Sequence, residues 1–427
     1  MNVRFRLGLA ALFAALAVGG CASAEDADTL TIWHSWGGAE LRTLKSLIAD
    51  FEREHPGIDV VALQIPHDTL LDKYTRSSAA NGGPDILIGD NDWSGKLSQA
   101  GLLVPIFDER DKGAGSTPGS SVSVAPSPDP DAQPLFPLAD EARFSPETLS
   151  ALRVGHEIYA WPESVETVVL YYNKHWVPRP PATMAALRAM AAGLHIPDGY
   201  ALAFNTDFYY FAGYFFGGGG QIFGPDGKLD VDTPAGVDML GWLARLTKAP
   251  GVLGTHDYGK ADSLYKQGKA AMIVNGPWAL ADYQKALGPE LGLAPLPRLS
   301  GARSPRPWIG VKCLMVNSDI DARHLQLARS FLSFIDEPSS QQELSAGCGH
   351  IPAVLGVKLP PDAPLAVFER QARTGTPKSA DPHLALVWDP MNRAIQETLS
   401  HRYPPAVALA RTQKLIEAEL AEVEANE

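Results

Sequence analysis

The chain has 427 residues, 45% of them hydrophobic and 20% charged, with a formal net charge of −13 at pH 7. A single core seldom grows past roughly 250–300 residues, so two lobes are expected. The acidic balance disfavours a nucleic-acid partner on electrostatic grounds, and the 3 cysteines match no zinc or CxxC spacing.

Arg4 and Arg6 precede an apolar run over 7–18 that is too short to span a bilayer permanently, so residues 1–20 read as a signal peptide. Val18-Gly19-Gly20-Cys21 is a small-residue approach to a cysteine and is similar to a bacterial lipobox. Acylation would make Cys21 the mature N-terminus and leave residues 21–28 as a lipidated tether. Cleavage after Ala22-Ser23-Ala24 would instead discard Cys21 and release a soluble protein. Loss of Arg4 and Arg6 takes the net charge to −15. Cys313 and Cys348 then remain, either as a disulfide in an oxidising compartment or as two buried small hydrophobes.

A β-rich run over 29–33 is followed by helical spacing of Leu44, Leu47, Ile48 and Phe51, and by a second β run over 58–63. The order repeats at 85–88 and 94–100, which predicts a parallel sheet flanked by helices. Residues 111–137 shift to Gly, Ser, Pro and Asp, a composition that cannot bury enough surface to offset ordering entropy, and predict a flexible loop. Strand character resumes at 156–160 and 167–172. Asp226-Gly227 predicts a hairpin turn between 221–223 and 228–230. Helices are predicted over 234–246 and 260–269, a buried strand over 270–274, and helices over 324–334, 388–399 and 405–424.

Motifs for metalloproteases, serine hydrolases, P-loop enzymes and thiol redox chemistry are absent from the sequence. Gly217 to Gly220 lacks dinucleotide-site spacing and reads as a flexible connection. Aromatic residues instead recur beside carboxylates and amides at element ends: Trp36, Asp92-Trp93, Asp207 with Tyr209, Trp278 and Trp388. A pyranose has an apolar C–H face that such rings cover and hydroxyls that carboxylates orient. Each aromatic taken singly reads slightly better as core or hinge packing, and several together shift the balance toward a sugar site.

Over nearly all of its mature length the chain resembles the bacterial extracellular solute-binding proteins of the maltose- and maltodextrin-binding family. The resemblance runs through TIWHSWGG (31–38), GGPDILIGDNDWSGKLSQAGLLVPI (82–106) and IYAWPESVETVVLYYNK (158–174). It continues through KQGKAAMIVNGPW (266–278), PWIGVKCLMVN (307–317) and WDPMNRAI (388–395). It implies a two-lobed α/β fold with a hinge and an interlobe ligand cleft. The N-terminal lobe is expected over 29–163 plus 315–360 and the C-terminal lobe over 164–314 plus 361–427.

The implied protein is a monomeric, extracytoplasmic component of an ABC carbohydrate importer, without cofactor, metal or catalysis. It would hold a malto-oligosaccharide or related glucoside by cleft closure and meet membrane permease subunits. Carried onto this sequence, Trp278, Trp388 and Tyr209 would stack on sugar rings, while Asp207, Glu166 and Asp92 would bind hydroxyls. Two departures stand out: Trp36-Gly37 replaces an Asp-Lys pair after the first strand, and Gly89 replaces a Trp in the sheet turn. Trp36 and Trp93 are the candidates for replacement stacking surfaces, in a pocket for maltodextrin or another glucoside. Two other classes share these features. Paired carboxylates such as Asp207 and Glu166 also describe glycosidases, and Tyr171-Tyr172 or Tyr209-Tyr210 would suit an iron-binding member of the fold.

Overall fold

The computed structural model describes residues 28–108, 134–224, 227–299, 303–358 and 364–426. The leader with Cys21, most of the expected loop over 111–137, and Asp226 lie outside them. β1 (Asp28–His34) buries Leu30, Ile32 and His34 on one face. α1 (Gly38–Glu54) turns Leu44, Leu47, Ile48 and Phe51 inward. β2 (Ile58–Gln64), α2 (His67–Ser78) and β3 (Ile86–Asp90) follow, and β3 runs directly into α3 (Asn91–Gln99). A small antiparallel sheet is made of β4 (Phe107–Asp108), β5 (Arg153–Val154) and β6 (Glu157–Ile158), with α4 (Pro146–Leu152) starting at the Ser145 cap. Leu135 and Phe136, expected to be loop, are buried here.

β7 (Trp161–Glu166) is followed almost at once by β8 (Val169–Asn173). Then come α5 (Met184–Gly193), β9 (Tyr200–Asn205), α6 (Phe208–Gly217), α7 (Pro234–Thr247), β10 (Val252–Thr255) and α8 (Tyr258–Lys266). β11 (Ala270–Asn275), α9 (Leu280–Leu287), β12 (Leu291–Ala294) and β13 (Trp308–Val316) lead into α10 (Ala322–Ile335) and α11 (Pro338–Cys348). The chain ends with β14 (Ile351–Pro352), α12 (Leu365–Ala372), β15 (Thr376–Pro377), α13 (Ala385–Leu399) and α14 (Pro405–Asn426).

The strands form two principal sheets, ordered β14-β7-β13-β3-β1-β2 and β10-β9-β11-β8-β12, each with its own hydrophobic core. This is the two-lobed α/β fold. Both sheets are mixed. β1 is parallel to β2 and β3, but β13 runs antiparallel to β3 and β7, because the chain re-enters the first sheet from the second instead of through a crossover helix. β7 keeps Ser164 and Glu166 in the first sheet, and β13 pairs there from Gly310 to Val316. The sheets therefore exchange the chain between Glu166 and Val169 and between Ala294 and Trp308. Helix–strand alternation does not report which sheet a strand joins.

The glycine run after α6 is a packing device, not the flexible connection its composition suggested. A Cβ at Gly217 would stand 2.5 Å from the Ser304 carbonyl oxygen, and one at Gly220 would stand 2.4 Å from the Phe215 ring. Cys313 and Cys348 are both buried free thiols, so the disulfide alternative falls.

Asn91 ties these pieces together while fully buried. Its Nδ2 donates to the carbonyl oxygens of Ala151 (2.8 Å) and Lys378 (2.5 Å), and its Oδ1 accepts from the Val311 N–H at 3.1 Å. Asn91→Ala leaves the Val311 N–H and two carbonyls without partners in a dry site. The expected loss is about 2–3 kcal/mol of unfolding free energy in urea titration, with the circular dichroism of the fold retained.

Candidate functional site

The C-terminal ends of β3 and β7 and the middle of β13 bring charged side chains to one end of the first sheet. Lys312 Nζ lies 2.6 Å from Asp90 Oδ1 and 3.9 Å from Glu166 Oε1. His67 Nε2 is 2.9 Å from the other Asp90 oxygen. Lys378, just past β15, lies 2.8 Å from Asp92. Burial acts against Lys312 and Lys378, but the adjoining carboxylates outweigh it and hold both ammonium groups charged. Burial also opposes the Asp90 carboxylate, and Lys312, Lys378 and His67 together pull its pKa well below the usual range. Burial raises the pKa of Glu166, with Lys312 opposing. No cluster of three or more metal-ligating side chains is present among the described residues.

The second lobe supplies the aromatic wall. β9 ends at Asn205, whose Oδ1 accepts the Asp207 N–H, and Asp207 caps α6 by accepting the Tyr209 N–H at 2.8 Å. The other Asp207 oxygen accepts from Asn392 Nδ2 at 2.7 Å. The cap turns Tyr209 toward the first sheet, where its hydroxyl and a Glu166 oxygen each lie 3.8 Å from the place of a Gly310 Cβ. Tyr209 and Trp278 have ring centroids 6.2 Å apart. Trp388 packs against Trp308 and Phe208 at centroid distances of 5.9 and 6.1 Å.

β11 delivers Trp278 through Asn275-Gly276-Pro277. Asn275 Nδ2 donates to the Tyr283 hydroxyl at 2.7 Å, Tyr171 donates to the Gly276 carbonyl at 2.8 Å, and Trp278 Nε1 donates to the Tyr258 hydroxyl at 3.1 Å. The indole folds back over Gly276, where a Cβ would stand 2.0 Å from the ring. Gly89 serves Trp93 in the same way, with a Cβ falling 2.4 Å from that ring. Gly89 therefore leaves the space that the Trp93 ring occupies.

A third group lies behind the charged cluster, at the contact of the two lobes. His350, 2% exposed, lies between Glu163 (2.8 Å from Nδ1) and Glu40 (3.1 Å from Nε2), edge-on to Trp36 at 5.0 Å. Its neighbour Gly349 has φ +82° and lies against the Pro277 carbonyl and Leu280 of the second lobe. Burial opposes the imidazolium, and Cys348 and Glu163 beside it outweigh burial, so its pKa stands well above the ordinary value.

The structure therefore gathers Glu166, Asp92, Tyr209, Trp278 and Trp388 around one region. Trp36 and Trp93 are 2% and 8% exposed and belong to the first-lobe core, and both Asp207 oxygens are engaged within the second lobe. Sequence reasoning missed Asp90, Lys312, Lys378, His67 and Tyr258. Lys312 sits within a buried strand, where a polar residue amid Val311, Cys313 and Leu314 was the available signal. Lys378 carried none. A separate groove of about 650 Å³ beside Ala191, Asp198, Tyr200 and Gly251 has no such grouping of rings and carboxylates.

Residues 46–369 match the family described as bacterial extracellular solute-binding protein. The chain is 27% identical over 385 residues to the maltotriose-binding protein of Pyrococcus abyssi, covering 87% of this chain and 77% of that protein. It is 23% identical to the galactooligosaccharide-binding protein of Bacillus subtilis, covering 91% and 88%. The maltotriose-binding protein of Thermus thermophilus, solved with maltotriose bound, superposes with a TM-score of 0.78 at 27% identity, covering 92% of this chain and 100% of that one.

Two outcomes follow from this geometry. Gly276→Ala drives a methyl group into the Trp278 indole and shifts the tryptophan emission spectrum, whereas Gly268→Ala, where a Cβ would meet nothing within 4 Å, leaves it in place despite its positive φ. His350 has a raised folded pKa, so its contribution to stability is full below the unfolded value of about 6.5 and fades as pH rises through the folded value. The stability gap between wild type and His350→Gln is therefore widest near pH 6 and narrows on the alkaline side in urea titrations.

Proposed function

Because the chain belongs to the bacterial extracellular solute-binding proteins, we propose that its site captures a malto-oligosaccharide or related glucoside for an ABC-type importer. The observation that carries this reading is the opposition of Tyr209, Trp278 and Trp388 on the second lobe to Glu166 and Asp92 on the first. Rings supply a flat apolar surface for the C–H face of a pyranose, and carboxylates orient its hydroxyls. Tyr209 Oη, Trp388 Nε1 and Glu166 Oε1 are buried without a hydrogen-bond partner among the described residues, which is the condition a polyol relieves. The membership is one of binding proteins, and it agrees with the non-catalytic expectation. Tyr171 and Tyr210, one from each tyrosine pair that would suit iron, are buried in the cores of the second lobe.

Stacking and hydroxyl contacts come from different lobes, so a sugar binds fully only when both surround it. Binding then shifts the open–closed equilibrium by its differential affinity for the closed form. We place the first lobe at 28–166 plus 308–358 and the second at 168–299 plus 364–426, except that β15 and the residues just after it, with Lys378, pack on the first lobe, and we place a hinge passage between Glu166 and Val169. The permease subunits of the importer would recognise the closed form. The location is extracytoplasmic, as the family description states, and acylation of Cys21 would hold the protein at the membrane as a monomer.

Titration of the leaderless protein with maltotriose, galacto-oligosaccharides and monosaccharides, read by tryptophan fluorescence and calorimetry, tests the reading. A saturable one-to-one response to a malto-oligosaccharide is expected, weakened tenfold or more in Trp278→Ala. A response confined to galacto-oligosaccharides moves the substrate class, and no response to any sugar overturns the reading.

A further inference from the structure

The carboxylates around this region are not equally free. Asp90 has one oxygen on Lys312 and the other on His67. Asp207 has one on the Tyr209 N–H and the other on Asn392. Asp92 and Glu166 each keep an oxygen with no donor on it among the described residues, and Asp92 alone stands beside a cation whose remaining hydrogens are not taken up by another carboxylate within ion-pair distance.

That cation is held rigidly. The Lys378 N–H donates to the Ile309 carbonyl at 2.9 Å, and its own carbonyl accepts from Asn91. Two residues on, the chain lies so close to α3 that a Cβ on Gly95 would stand 1.9 Å from the Ala380 carbonyl oxygen. Backbone and counterion thus belong to the first lobe. The ammonium, however, lies 5.8 Å from the ring centroid of Tyr209 and 6.0 Å from that of Trp388, both on the second. A buried ion pair of this kind is a poor source of stability, since apolar side chains of similar volume do as well. Its position at the edge of two partly exposed rings points to a ligand.

We infer that Lys378 and Asp92 form a clamp for two neighbouring hydroxyls of the sugar ring stacked on Tyr209 and Trp388. The ammonium donates to one oxygen and the carboxylate accepts from the other. Their 2.8 Å separation suits adjacent gauche hydroxyls, so the two charged groups contact the diol side by side. The ligand class is a neutral pyranoside with a free vicinal diol on that ring. An acidic sugar would bring its carboxylate against Asp92, Asp90 and Glu166. The inference rests on the carbohydrate reading above and assigns specificity to Lys378, a residue outside the aromatic wall.

The test is calorimetry of the leaderless wild type and Lys378→Met with maltotriose and a series of monodeoxy maltosides. The expected loss for K378M on maltotriose is about 10–100-fold, the size of one charge-assisted hydrogen bond. One monodeoxy maltoside, lacking the clamped hydroxyl, is expected to bind wild type and K378M equally, a coupling that a merely structural role would not produce. Thermal melting checks that K378M folds, and Lys378→Gln replaces it if it does not. Equal affinity of wild type and variant for maltotriose overturns the clamp while leaving sugar capture standing. So does an equal loss across the whole deoxy series. A wild type that binds no sugar overturns the underlying reading itself.

Discussion

The arrangement depends on keeping charged groups in a nearly dry space between two lobes. Asp90, Lys312, Glu166, Asp92 and Lys378 lie at the end of the first sheet, and an unpaired charge there would be very costly. Pairing resolves that cost and fixes geometry at the same time. Lys312 holds Asp90, Lys378 holds Asp92, and Asn91 between the two aspartates secures β13, α4 and the segment after β15. The lobe that carries no such cluster contributes the rings. Division of labour between an ionic lobe and an aromatic lobe makes occupancy of the cleft sensitive to their approach.

Much of the fold was legible because hydrophobic periodicity is local. β1, α1, β2, α7 and β11 appear where their patterns place them, and Asn275-Gly276-Pro277-Trp278 identified the aromatic beyond the buried strand. Sheet membership was not legible. Whether Trp308–Val316 pairs with β3 or with β8 depends on contacts between segments some 220 residues apart, and no local pattern encodes that. The same holds for Lys378, which is unremarkable in Thr376-Pro377-Lys378-Ser379 and meets Asp92 only once the chain has folded.

The site residues divide along similar lines. Tyr209, Trp278 and Trp388 were legible as aromatics at element ends. Trp36 and Trp93 satisfy the same description yet lie in the core, because an adjacent glycine at 89 lets Trp93 fold inward and His350 meets Trp36 edge-on. Asp207 was legible as a carboxylate beside aromatics, but position immediately before α6 makes it a helix cap. That cap is what orients Tyr209.

The most direct test of this account is a crystal structure of the leaderless protein with a bound malto-oligosaccharide. The account predicts a sugar ring against Tyr209, Trp278 or Trp388, hydroxyls on Glu166 and Asp92, and both lobes in contact with the ligand. Sugar density confined to one lobe, or away from these residues, would contradict it.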